Sequence, residues 1–134
     1  MQRFFKHHVL CRNPFCTHAL LPYLMGTSDK VRQIQARADQ ATANRLSVRI
    51  ELQADCFAGV WGHHTAERGI VNQQDVTTAL QTAAQIGDDY LQRRARGVVV
   101  PETFTHGSSQ QRVHWFEQGL TSGDIRQCDT FAAQ

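Results

Sequence analysis

The stretch RLSVRIELQADCFAGVWGHH, Arg45 to His64, sets two carboxylates, Glu51 and Asp55, four residues apart inside a run of apolar and small residues. Leu46, Ile50, Ala54, Phe57 and Trp61 recur at steps of three or four, which predicts a long helix from about Gln40 to Glu67 with that stripe buried. On a helix, residues i and i+4 share a face, so Glu51 and Asp55 project together. The same face carries Asn44, Ser47, Val48, Ala58, Gly59 and Gly62, small side chains that let another backbone come close. Adjacent carboxylates resist desolvation unless a cation or hydrogen-bond donors compensate them. Two readings fit the E-x-x-x-D spacing. One is a salt-bridged pair facing Arg45 or Arg49 of the same helix. In the other, one carboxylate binds zinc and the next, a turn later, holds a ligating histidine by a hydrogen bond.

Outward from this helix the pattern stays helical. After Gly26, Thr27 or Ser28 can cap a mostly polar helix carrying Val31 and Ile34 at helical spacing. Gly69 ends the long helix. Asn72 then caps a segment whose apolar face is Val76, Leu80, Ala83 and Ala84, with a weak point at Gly87 and a stop at Gly97. Asp88 and Asp89 read as a helix start. Val98 to Phe104 is β-prone but short and holds Pro101, so it reads as an extended connector. Ser108 and Gln111 stand in capping-box spacing before a last helix with Val113, Phe116 and Leu120 on one face. The tail from Thr121 is ordered only if Phe131 or Cys128 docks. The expected fold is mainly α, with four to five helices and no sheet.

Composition narrows the function classes. With 134 residues and a net charge of +2, the chain suits one domain and has no basic stripe to attract nucleic acid. No segment approaches the ~18–20 apolar residues of a membrane span, and the N-terminus has no apolar core of a signal peptide, so a soluble chain is expected. None of the four cysteines forms a C-x-x-C pair, so a zinc ribbon is not supported. Cys56 and Cys128 could be bridged in an oxidising compartment; otherwise they are free thiols, one of them in the core.

NRLSVRIELQADCFAGVWGHH, AAQIGDDYLQRRARG, VVPETFTHGSSQQRVHWFEQGLTSGD and QCDTFAAQ, taken in order, resemble the C-terminal part of the bacterial neutral zinc metallopeptidase family. The resemblance runs from residue 24 to residue 134 and leaves residues 1–23 unmatched. It implies the helical C-terminal part of a zincin-like domain. It implies zinc as cofactor, a peptide or protein as substrate, Glu51 as the third zinc ligand and Asp55 as support behind the ligands. In such sites zinc activates water and polarises the peptide carbonyl while a glutamate of an H-E-x-G-H helix moves protons. That motif is absent from this sequence: the family's spacing puts its three functional positions at Phe15, Cys16 and Ala19, none of which can act in those roles. Peptidase activity is therefore not expected of the chain as it stands. The alternatives are a non-catalytic helical binding or structural module, or a truncated or frameshifted remnant. The family implies a membrane-anchored or envelope location.

Further candidates follow. His106, in FTHGSSQQRVHW, could hydrogen-bond a developing oxyanion, with Arg112 holding its segment near the site; the plain alternative is a loop histidine before a capped helix. His63 and His64 with Glu67 have spacings that could take a stray metal, but they read as the solvated end of a helix. His7, His8 and His18 with Cys11 and Cys16 match no zinc motif. His114 reads as a partly buried packing residue.

Overall fold

The computed structural model describes residues 26–132. Five helices appear there, with no strand among the described residues: α1 (Thr27–Gln35), α2 (Gln40–Glu67), α3 (Gln73–Gln85), α4 (Asp88–Arg96) and α5 (Ser109–Ser122). Single 3-10 turns lie at Pro101–Thr103 and Ile125–Gln127. The N-terminal histidines and cysteines, and positions 15, 16 and 19, lie outside the described residues.

Local chemistry accounts for most boundaries. The Asp39 carboxylate accepts from the Thr42 N–H at 2.7 Å and opens α2. Asn72 with Asp75, and Ser108 with Gln111, form reciprocal capping boxes at the starts of α3 and α5. Gly97 and Gly123 end α4 and α5 in the left-handed conformation. Two expectations for α1 fail. Neither Thr27 nor Ser28 caps it; the cap is Gly26, with no side-chain bond, so the helix starts earlier. Val31 is buried, but Ile34 is 54% exposed, since α1 turns only one edge to α2.

The core lies where α2 meets α5 and the C-terminal tail: Cys56, Phe57, Val60 and Cys128, with Trp115 packed against them. Of the five apolar positions expected in the buried stripe, Ala54 and Phe57 are buried, while Leu46, Ile50 and Trp61 are only half-buried. The difference is physical: from Leu52 to Phe57 every residue of α2 is buried, so the centre of the helix is enclosed on all sides instead of along one stripe. His114 is exposed, contrary to its reading as a packing residue, with its ring set edge-on to Trp115.

Cys56 and Cys128 form a disulfide across 72 residues. On the chain-entropy account, closing such a loop is worth about 4 kcal/mol. The bridge docks the tail, and polar contacts finish the job. Gln53 Nε2 donates to the Cys128 carbonyl at 3.1 Å, and the Thr130 hydroxyl donates to the Arg49 carbonyl at 2.7 Å. Arg49 lies over the Phe131 ring.

α2 and α5 run parallel: Asp55 meets Arg112, Gly59 meets Gly119 and His63 meets Leu120. The backbones touch at the two glycines. A Cβ on Gly59 would strike the Phe116 carbonyl, and one on Gly119 would strike the Cys56 carbonyl. The small-residue face of α2 is thus divided. Gly59 and Gly62 receive α5, Val48 lies under Gly107, Asn44 donates to the Glu102 carbonyl and Ser47 accepts from Gln35. Ala58 remains beside Glu51 and Asp55 on an open groove.

Candidate functional site

That groove has a volume of about 590 Å³. Glu51, Asp55 and Ala58 of α2 form one side, α3 contributes Asp75, Ala79 and Ala83, and Arg112 and Phe116 come from α5. His106 enters from the loop before α5. Four residues spread over 62 positions of sequence, Glu51, Asp55, His106 and Arg112, therefore line one cavity.

Its electrostatic centre is Arg112. Nε donates to Asp55 Oδ2 at 2.9 Å and Nη2 donates to Asp55 Oδ1 at 2.8 Å, a two-pronged fit of guanidinium on carboxylate. Glu51 Oε2 lies 3.8 Å from the same Nη2. Asp55 and Arg112 are both buried, whereas the Glu51 side chain is 30% exposed. The cation facing the carboxylate pair thus comes from α5. Arg45, one of the two candidates on the helix itself, donates instead to the Thr42 hydroxyl, and Arg49, the other, reaches the Phe131 carbonyl. The reason is reach: both Arg45 and Arg49 are exposed positions of α2, pointing away from the face that Glu51 and Asp55 share.

His106 is held from α4. Asp88 Oδ2 accepts the backbone N–H groups of Thr105 at 2.7 Å, His106 at 2.7 Å and Gly107 at 3.1 Å. Its other oxygen lies 3.2 Å from His106 Nδ1. Asp89 does similar work one residue on, accepting from the Ser109 N–H at 2.6 Å and the Ser109 hydroxyl at 2.8 Å. Burial pushes the Asp89 carboxyl up, but the Ser109 donors and nearby backbone N–H groups outweigh it and hold the group below its usual range. Both aspartates do start a helix, as their position implied. Their structural role across the α4–α5 junction was not read from sequence. The signal was present: the N-cap is Gly87, which has no side chain to cap with, and two consecutive acids follow it.

Zinc takes four donors at about 2.0–2.3 Å. Besides Glu51, the donor side chains lining the groove are Asp55, already clasped by Arg112, together with Asp75 and His106. Among the described residues the one cluster of three potential ligands is His63, His64 and Glu67, at the other end of α2. The described residues therefore do not fit a zinc ion at Glu51 by themselves.

Uncharacterized protein YpfJ of Escherichia coli strain K12 is 57% identical over 108 residues, which covers 81% of this chain and 38% of that protein. Uncharacterized protein Rv2575 of Mycobacterium tuberculosis strain H37Rv is 44% identical over 112 residues, covering 75% of this chain and 38% of that one. The chain thus spans about two fifths of the length of these curated relatives. No solved structure matches it. Residues 17–131 match the family described as "Putative neutral zinc metallopeptidase", and the chain belongs to that family.

Proposed function

We propose that this chain carries the acid-and-arginine side of a zinc peptidase site and that, as these 134 residues, it hydrolyses no peptide bond. Glu51 is the carboxylate it would offer to zinc. Asp55, oriented by Arg112, would stand behind the ligands and steady a neighbouring imidazole. His106, on the same groove, would be the group to meet a substrate carbonyl. Its Nδ1 lies 3.2 Å from Asp88 Oδ1 and 3.1 Å from the Thr105 hydroxyl: with Nδ1–H given to Asp88 the ring would help an oxyanion only as an imidazolium, and with Nδ1 accepting from Thr105 the neutral ring would donate from Nε2. The observation that carries this reading is the gathering of Glu51, Asp55, Arg112 and His106 on one groove. Against activity stand the lack of H-E-x-x-H in the sequence and, among the described residues, of a cluster of three potential ligands that includes Glu51.

The second reading, a non-catalytic binding module, draws on the apolar lining of the same groove: Ala79, Ala83, Ile86, Leu91 and Phe116 offer an extended peptide more hydrophobic contact than chemistry. The Cys56–Cys128 bridge favours an oxidising compartment for either reading. Among the described residues no helix is long and apolar enough to cross a membrane. Incubating the purified chain with quenched fluorescent peptides, with and without added Zn²⁺, tests the proposal. The expected result is no turnover in either condition; chelator-sensitive cleavage that disappears in Glu51→Gln would refute it.

A further inference from the structure

At the far end of the α2–α5 seam a second cluster carries its own chemistry. Because the helices run parallel, both C-terminal ends lie together there, and each brings the negative end of its dipole and unsatisfied carbonyls. Two of those carbonyls are answered by imidazoles of α2. His63 Nδ1 lies 2.8 Å from the Leu120 carbonyl oxygen, and His64 Nε2 lies 2.9 Å from that of Gly123. A carbonyl only accepts, so each of these nitrogens is the protonated one and the tautomer of each neutral ring is fixed. The lone pairs are left on His63 Nε2 and His64 Nδ1.

Both lone pairs face the same carboxylate. His63 Nε2 lies 3.6 Å from Glu67 Oε1, and His64 Nδ1 lies 3.2 Å from Glu67 Oε2. Three potential ligand atoms lie within 4.8 Å of one another between two negative helix ends, a setting that favours a positive charge among them, either a ring proton shared by His64 Nδ1 with Glu67 or a metal ion. The carbonyl contacts are the outer hydrogen bonds that fix imidazoles for metal binding in known sites. Gly123 contributes a third observation: a Cβ there would lie 2.7 Å from His63 Nε2, so the absent side chain keeps that nitrogen open.

We propose that His63, His64 and Glu67 bind a divalent cation of the Zn²⁺ or Ni²⁺ class, the ions that imidazole with one carboxylate suits. The site is separate from Glu51, from which its residues lie roughly 18–24 Å away along α2 at the usual rise per residue. Its ligands come from α2 and their orienting carbonyls from α5, so a bound ion fastens the ends of the two helices.

The test uses the whole 134-residue chain stripped with chelator and titrated with Zn²⁺. Long-range proton–nitrogen spectra follow the ring nitrogens, and a parallel titration is made on Glu67→Gln. The expected result is that His63 Nε2 and His64 Nδ1 shift on saturation, and that Glu67→Gln binds at least about tenfold more weakly. Glu67 is 63% exposed, so the variant should melt as the parent does without metal. Glu51→Gln should bind Zn²⁺ at this site as the parent does. Unchanged affinity in Glu67→Gln, or rings that stay silent while zinc binds elsewhere in the chain, would overturn the proposal.

Discussion

The two ends of the α2–α5 seam hold similar side chains in opposite circumstances. At one end Glu51 and Asp55 meet the guanidinium of Arg112, with Asp55 and Arg112 nearly closed off from water. At the other, His63 and His64 meet backbone carbonyls from α5 on one side and Glu67 on the other, and all three stay partly or largely exposed. Both clusters have spacings along α2 that would suit metal ligands. What separates them is what α5 supplies. A buried cation commits the first cluster to structure as well as to any chemistry, whereas α5 gives the second only acceptors and leaves its remaining ring nitrogens turned to Glu67.

The buried end should break hardest. Arg112→Leu leaves the Asp55 carboxylate buried without its bidentate partner, and should cost about 3–5 kcal/mol in chemical denaturation. Replacing both residues, Asp55→Leu with Arg112→Leu, should recover most of that loss, because two matched apolar groups need no ion pair. If the double variant were as unstable as the single one, the pair would not be the source of the cost.

The middle of the seam gives an intermediate effect. Gly119→Ala drives a methyl group into the Cys56 carbonyl, and the obstacle is backbone that cannot rotate aside. The helices must separate, at an expected cost of about 1–3 kcal/mol in thermal or urea unfolding. Separation would also loosen both ends of the seam at once. A stabilised Gly119→Ala would mean that the contact is not tight and that the two ends are not coupled through it.

Much of this arrangement could be read from local pattern, because local pattern caused it. α2 begins and ends where its periodicity and the flanking Asp39 and Gly69 put its limits, and the caps at Asn72 and Ser108 act within three residues. The expected mainly α fold of four to five helices follows from such signals. The partner of Asp55 does not, because Arg112 lies 57 positions away and only the close glycine contact brings α5 alongside. For the same reason Asp88 and Asp89 read as a helix start, although their carboxylates collect N–H groups 17 to 20 positions downstream. Glu51 and Asp55 stood out in sequence because two acids on one helical face demand an answer. The source of that answer was a tertiary fact. His114 shows the reverse, an aromatic position between Val113 and Trp115 that packing simply did not use.

The smallest expected effect tests how α5 is anchored near the buried end, and it has a definite sign. Asp89 is held below its usual range in the folded protein, so folding favours its carboxylate. The unfolded chain, with an aspartate pKa of about 3.9, binds more protons in the window below that value. Stability from this contact is therefore complete above about pH 4 to 5 and is lost as pH falls through the folded pKa. Asp39 and Asp124 are also lowered, by hydrogen bonds from Thr42 and Arg126, and slope the same way. Asp89→Asn keeps an oxygen for the Ser109 donors but loses the charge, which should cost about 0.5–1 kcal/mol at neutral pH. The same variant should show a shallower fall in melting temperature between pH 5 and pH 3 than the parent, without abolishing it. An acid limb of unchanged slope would mean that Ser109 is held as well by a neutral group, and that the charge of Asp89 does not anchor the start of α5.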